Sequence, residues 1–221
     1  MTQEQWTAVD RYITDHLVAS DAALDAALAA SAAGGLPAIN VAPNQGKLLH
    51  VLARSIGAKR ILEVGTLGGY STIWLARALA PGGKLITLEH EPTHAEVARA
   101  NIERAGLAHL VEIRLGKAID TLPRIAAEGG GAFDLVFIDA DKPGNADYFE
   151  WAMKMTPVGG LIIVDNVVRE GEVINAKGDA NAQGARRLFE AMEMEPRVSA
   201  TAVQTVGSKK WDGFAIAVVI G

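Results

Sequence analysis

The chain has 221 residues, of which 49% are hydrophobic and 21% charged, and its formal net charge is −5. These values are ordinary for a soluble globular protein. The chain contains no cysteine, which excludes disulfides, thiolate metal sites and a cysteine nucleophile. It also has no run of basic residues of the kind that binds phosphate backbones, so we expect no nucleic-acid partner.

The first 58 residues are predicted to form a helical cap. Residues 4–30 have the pattern of one or two helices, and the glycines and proline within residues 34–37 end the run. Asn44 is the expected N-cap of a further helix that runs to about Ile56. The residues expected on the apolar face of the first segment are Leu17, Leu24 and Leu28.

Nothing near the N-terminus predicts a membrane segment. The first ten residues lack the positive charge of a signal peptide, and the apolar stretch 17–36 contains Asp21 and Asp25. We therefore expect a cytoplasmic protein without a membrane partner.

Short apolar runs alternate with helix patterns from Arg60 onward. The runs are 60–64, 84–89, 111–115, 133–139 and 160–165, and the helix patterns between them are 70–80, 93–105, 117–128 and 147–155. Strands that are apolar nearly throughout indicate a parallel sheet covered on both faces.

The last two predicted strands, 197–206 and 211–220, are separated by only four residues. A parallel crossover needs about a dozen residues, so these strands must pair as an antiparallel hairpin. The expected fold is α/β, with a doubly wound, mostly parallel seven-stranded sheet, an antiparallel C-terminal hairpin and N-terminal helices. We expect a single domain in which residues 59–221 form the α/β core.

A glycine-rich turn follows the first strand. Gly65, Gly68 and Gly69 lie where ligands bind in open α/β sheets. The dinucleotide fingerprint would need glycine at the positions of Leu67 and Tyr70, so the pyrophosphate motif fails. The turn therefore suits a nucleoside without a diphosphate, and Glu89 at the end of the second strand is placed to accept hydrogen bonds from ribose hydroxyls.

Acidic and amide side chains end the fourth and fifth predicted strands. Adjacent strands lie about 4.8 Å apart, so Asp139, Asp165 and Asn166 are expected to converge at one edge of the sheet. Such an all-oxygen set suits Mg²⁺ or Ca²⁺. Lys142 follows Asp139 by three residues, and its ammonium form is disfavoured beside a divalent cation.

Four motifs, E-V-G-T-L-G-G-Y-S, L-E-H-E, I-D-A-D-K and V-D-N-V, resemble the class I S-adenosylmethionine-dependent O-methyltransferases of the caffeoyl-CoA and catechol type, in their bacterial form. The resemblance covers about residues 36–221, and D-A-D-K followed by D-N is its most specific part.

The resemblance implies which positions contact S-adenosylmethionine. Those that match contacts to its methionine part are Glu63, Gly65 and Ser71. Glu89 matches the ribose acid, Gly116 and Ala118 match the loop beside the adenine, and Val41 matches a segment that closes over the cofactor. The other matching positions are Thr66, Leu67, Gly69, His90 and Asp139.

The resemblance also implies the chemistry. Asp139, Asp165 and Asn166 match the ligands of a divalent metal, and Lys142 matches the general base that deprotonates a phenolic hydroxyl. Family members are commonly homodimers, and the N-terminal helices are the expected contact. Asn145 stands where family members often have a tyrosine, and the nearest aromatic residue is Tyr148.

The polar segment 167–183 is expected to shape the acceptor pocket, with Arg169 or Trp211 as candidate lining residues. No basic cluster suits the phosphates of a CoA thioester, so a small catechol-like acceptor is favoured. Three alternatives remain open: a nicotinamide-dependent oxidoreductase, a non-catalytic nucleoside-binding protein, and a metal-independent methyltransferase acting on nitrogen or carbon.

Overall fold

The computed structural model describes residues 2–129 and 131–221 and contains one seven-stranded sheet. The strands are β1 (Arg60–Val64), β2 (Lys84–Glu89), β3 (Val111–Leu115), β4 (Leu135–Ile138), β5 (Leu161–Asp165), β6 (Val198–Gly207) and β7 (Lys210–Val219). The strand order is β3-β2-β1-β4-β5-β7-β6. β1 to β5 are parallel, and β7 pairs antiparallel with both β5 and β6, which confirms the predicted fold class.

Helices cover the sheet. They are α1 (Gln3–Leu17), α2 (Ala22–Ala33), α3 (Pro43–Ser55), α4 (Tyr70–Ala76), α5 (Pro92–Arg104), α6 (Ala118–Ala127), α7 (Asn145–Met155) and α8 (Ala180–Met194). Alternate residues of β1 enter two different hydrophobic cores: Leu62 belongs to the core that includes Leu188 of α8, and Ile61 belongs to the core that includes Leu24 of α2. The inner strands are therefore apolar on both faces, as their sequences predicted.

The N-terminal prediction was wrong in two details. Asn44 is not the N-cap of α3, because the helix begins at Pro43 after Ala42, and the Asn44 amide instead donates to Asp10 at 2.9 Å. Leu17 is 70% exposed and does not share the buried face of Leu24. Proline suits the first helical position because its φ is fixed near the helical value and its missing N–H needs no partner there.

Helix α8 was not predicted from the sequence, and its first residue, Ala180, lies inside the polar segment 167–183. Asp179 caps this helix by accepting from the backbone N–H of Ala182 at 2.8 Å. Within the described residues, no helix is both long and apolar enough to cross a bilayer. The single-domain boundaries and the cytoplasmic location stay predictions.

Candidate active site

A cavity of about 750 Å³ opens at the carboxyl ends of the parallel strands. The strand order reverses between β1 and β4, and such a switch point is where open α/β sheets bind ligands. Gly65 has a φ of 102°, and a Cβ there would overlap the main-chain oxygen of Asp139. Glycine at this position therefore allows the tips of β1 and β4 to approach each other closely.

Glu63 supports the turn that follows β1. Its carboxylate is fully buried and accepts hydrogen bonds from Ser71 at 2.6 Å, Thr87 at 2.7 Å and Thr72. Burial raises the pKa of Glu63 to about 7, although the three hydroxyl donors act in the opposite direction. Glu63 does not line the cavity, so its contribution is to hold the start of α4 against β1 and β2.

Glu89, at the end of β2, lines the cavity and is fixed by four backbone N–H groups. Oε2 accepts from Leu67 at 2.7 Å and Thr66 at 3.3 Å, and Oε1 accepts from His90 and Glu91, both at 2.9 Å. The carboxylate is therefore oriented by the protein itself, and it joins the glycine-rich turn to the second strand.

Most of the other predicted cofactor positions also line the cavity. They are Val41, Gly65, Thr66, Leu67, Ser71, His90, Gly116, Ala118 and Asp139. Gly116 has a φ of 142°, and its N–H donates to the Glu89 carbonyl at 2.8 Å. Gly69 does not line the cavity and instead precedes α4 with a φ of 80°. Every predicted cofactor residue except Glu63 and Gly69 therefore lines the cavity.

The acid cluster lies at the tips of β4 and β5. Lys142 Nζ is 2.7 Å from Asp139 Oδ1, and both residues line the cavity together with Asn166. Asp165 is only 4% exposed and does not line the cavity. Its Oδ2 accepts from the Gln45 amide at 2.7 Å, and its Oδ1 accepts from the Asn166 backbone N–H at 2.8 Å.

Two carboxyl groups and one ammonium group lie close together in this cluster. Burial, reinforced by the nearby charge of Asp139, raises the pKa of Asp165 well above its ordinary value. Lys142 supplies one positive charge against two carboxylates. In the described part of the chain no three His, Cys, Asp or Glu side chains converge as a metal site. The predicted set contains two carboxylates and an amide oxygen, which are donors that a hard divalent cation accepts.

The cavity wall also includes polar side chains from the segment that follows β5 and from α8. Arg169 and Asn181 line this part of the cavity, whereas Trp211 does not and packs near Gly171 instead. The Tyr148 hydroxyl donates to Asp141 Oδ1, and burial is the main cause that raises the pKa of Tyr148. The position where family members often have a tyrosine is occupied by Asn145.

Asn145, which stands in that tyrosine's place, is fully buried and does not line the cavity. Tyr148, in contrast, is a cavity residue.

Sequence reasoning missed Gln45, whose amide holds Asp165 from 120 positions away. No local pattern identifies a partner at that separation. It also missed Asn181, because α8 was not predicted, and Lys117, which caps α6 at the cavity rim. A search for N-cap residues within the segment 167–183 would have found Asp179 and the start of α8.

The comparisons with known proteins define the class. A family model described as O-methyltransferase matches residues 17–216. The chain belongs to this O-methyltransferase family.

Individual relatives agree over nearly the whole chain. Catechol O-methyltransferase of Mycobacterium tuberculosis is 54% identical over 211 residues, covering 96% of this chain and 94% of the relative. Catechol O-methyltransferase of Niastella koreensis is 52% identical over 220 residues, covering 99% and 100%. The crystal structure of the O-methyltransferase from Bacillus cereus in complex with SAH is 56% identical, with a TM-score of 0.97 and coverage of 99% and 100%.

These similarities confirm the predicted enzyme class, an S-adenosylmethionine-dependent O-methyltransferase with a Rossmann-like sheet. They favour this class over the nicotinamide-dependent oxidoreductase and the non-catalytic binding protein.

Proposed function

We propose that the protein transfers a methyl group from S-adenosylmethionine to one hydroxyl of a catechol-like small molecule, with the help of a divalent cation, Mg²⁺ or Ca²⁺. The observation that carries this proposal is the Lys142–Asp139 pair, 2.7 Å apart, at the edge of a cavity that Glu89 and the glycine-rich turn also line. The similarity to two catechol O-methyltransferases supports the acceptor class.

The cofactor half of the cavity is proposed to run from the glycine-rich turn to Ala118. Glu89 would accept hydrogen bonds from the ribose hydroxyls, and Gly65 and Ser71 would border the methionine part. Gly116 and Ala118 would flank the adenine, with Val41 closing the opposite side. The sulfonium of S-adenosylmethionine supplies an electrophilic methyl carbon with a good leaving group, so the chain itself needs no nucleophile.

Asp139, Asp165 and Asn166 are proposed to hold the cation. A divalent cation held by these residues would supply Lewis acidity, which would lower the pKa of a catechol hydroxyl from about 10. Gln45 and the Asn166 backbone N–H fix the orientation of the Asp165 carboxylate.

Lys142 Nζ is proposed to accept the proton of the reacting hydroxyl. The acceptor oxygen then forms a bond to the methyl carbon while the carbon–sulfur bond breaks and the sulfur keeps the electron pair. Asp139 holds Lys142 Nζ at the cavity edge, so the base and the acceptor are positioned before the reaction.

The decisive experiment incubates the protein with methyl-labelled S-adenosylmethionine and catechol, with and without EDTA. We expect transfer that EDTA abolishes and Mg²⁺ restores. Asp165→Asn should weaken binding of Mn²⁺, followed by electron paramagnetic resonance, whereas Asp15→Asn on the exposed side of α1 should not. Transfer that persists in EDTA, with unchanged Mn²⁺ binding by the Asp165 variant, would remove the cation from the proposal.

The same assay tests Lys142. Lys142→Met should lower kcat for catechol by about 10²- to 10⁴-fold because general-base catalysis is lost. The loss should be much smaller for 4-nitrocatechol, whose hydroxyl is already ionised near neutral pH. An equal loss for both acceptors would show that Lys142 acts in some other way.

We also propose a homodimer. Val9, Tyr12 and Leu17 of α1 are between 57% and 70% exposed, which supports this helix as the contact.

A further inference from the structure

The loop that follows β5 has an unusual backbone. Asn166, Arg169 and Glu170 have φ values of 57°, 56° and 53°, although none of them is glycine. Such a conformation is unfavourable for a non-glycine residue and persists only where the surrounding structure enforces it. Asn166 belongs to the proposed cation site, but the conformation of Arg169 has no role in what has been described so far.

Asp212 on β7 enforces the conformation at Arg169. Its Oδ1 accepts from the backbone N–H groups of Val168 at 3.0 Å and Arg169 at 2.9 Å. Its Oδ2 accepts from Arg169 Nη1 at 3.4 Å, and the N–H of Val167 donates to the carbonyl of Gly213 at 3.0 Å. The neighbouring strand thus holds both the main chain and the guanidinium of Arg169.

The acceptor half of the cavity is the part near Lys142 and Asn181. Within the residues the structure describes, Arg169 is the positively charged side chain in this half that remains available to bind a ligand. Lys142 is bound to Asp139, and Lys117 lies at the opposite end, at the start of α6. The Arg169 side chain is 31% exposed and makes one long contact to Asp212. A guanidinium has five N–H donors arranged to match a carboxylate, so most of this group remains available.

We propose that Arg169 is a specificity-determining residue that binds a carboxylate carried by the acceptor, so that the preferred acceptor is a catechol with an acidic substituent. This inference rests on the proposed function. One cation matches one carboxylate, and it does not match the several phosphate charges of a CoA thioester. Asp212 is a positioning residue that presents the guanidinium to the cavity.

The experiment compares 3,4-dihydroxybenzoate with the neutral 4-methylcatechol in wild type, Arg169→Met and Arg169→Lys. Methionine removes the charge and keeps much of the aliphatic chain, whereas lysine keeps the charge. Lys210→Met is the matched control, because Lys210 is exposed and pairs with Glu170 outside the cavity. Two quantities are measured: kcat/KM, and calorimetric affinity in the presence of S-adenosylhomocysteine and Mg²⁺.

Arg169→Met should lower kcat/KM for the acid by about 10- to 100-fold, mainly through KM, because the lost contact is remote from the reacting oxygen. The neutral catechol should change by less than about twofold, and Arg169→Lys should recover most of the loss for the acid. Lys210→Met should leave both acceptors unchanged.

Equal losses for acid and neutral acceptor, or no loss for the acid, would overturn the assignment of Arg169. Failure of wild type to methylate any catechol would instead overturn the proposed function. In that case the affinity measurement still decides the role of Arg169, because it does not depend on turnover.

Discussion

At the scale of single residues, the burial of Glu63 makes the stability of the protein depend on pH. Its carboxylate has no exposure, and its pKa is raised from 4.5 to about 7 by desolvation. Folded protein therefore holds this proton to a higher pH than the unfolded chain does. The stability that the proton contributes is complete below pH 4.5 and is lost as the pH rises to about 7.

Glu63→Gln should remove this contribution. As the pH rises from 4.5 to 7, wild type should lose roughly 1–3 kcal/mol of unfolding free energy that the variant does not lose. Urea denaturation at several pH values measures it, with exposed Glu103→Gln as the control. A parallel pH dependence for wild type and Glu63→Gln would mean that Glu63 is ionised throughout this range.

At the scale of elements, strand positions could be predicted well and their side-chain partners could not. The apolar runs 60–64 and 84–89 coincide with β1 and β2, because strands buried on both faces have a local signature. The run 111–115 coincides with β3, although this edge strand is only partly buried. Asn44 misled the prediction because a capping preference is weak beside a proline at the first helical position. The contact between Gln45 and Asp165 depends on the finished fold.

In the candidate site, too, the positions of residues could be predicted from the sequence but the partners of their side chains could not. Asp139, Lys142 and Asn166 were found because they end strands or follow strand ends, and ends of parallel strands share one edge of a sheet. Glu63 accepts hydrogen bonds from three hydroxyl groups, and its expected contact with the cofactor stays a prediction. Sequence position places a residue near a site, whereas the direction of its side chain depends on neighbouring elements.

The close approach of β1 and β4 can be tested at Gly65. Gly65→Ala should destabilise the protein by about 2–4 kcal/mol, because the new Cβ meets the Asp139 carbonyl and the positive φ is unfavourable for alanine. Gly82→Ala is the matched control: its φ is 78°, but a Cβ there meets open space. Thermal denaturation of both variants separates the two effects, and equal losses would contradict a steric role for Gly65.

At the scale of the whole molecule, hydrogen bonds connect helix α1 to the hairpin formed by β6 and β7. Asp10 of α1 accepts from the backbone N–H of Ser208 at 2.7 Å and from the Asn44 amide at 2.9 Å. The Gln3 amide donates to the carbonyl of Gly207 at 2.8 Å. These bonds join the two ends of the chain across the outer strands of the sheet.

Asp10→Ala should cost roughly 1–3 kcal/mol, because two hydrogen bonds to a nearly buried carboxylate are lost. Hydrogen exchange should accelerate in α1 more than in the strands β1 to β5. Asp15→Ala, on an exposed position of the same helix, should change stability by less than about 0.5 kcal/mol. Uniform acceleration over the whole chain would show that α1 does not open separately.

The hydrogen bond between Gln45 and Asp165 has a consequence for ligand binding. Helix α3 carries Gln45, and Val41, only four residues earlier, forms part of the cavity wall that would cover the methyl donor. A movement of this one helix alters the surroundings of both the donor and the acidic group beside it. If occupancy of one position shifts this helix, the affinity at the other position changes, and thermodynamic reciprocity requires both affinities to change by the same factor.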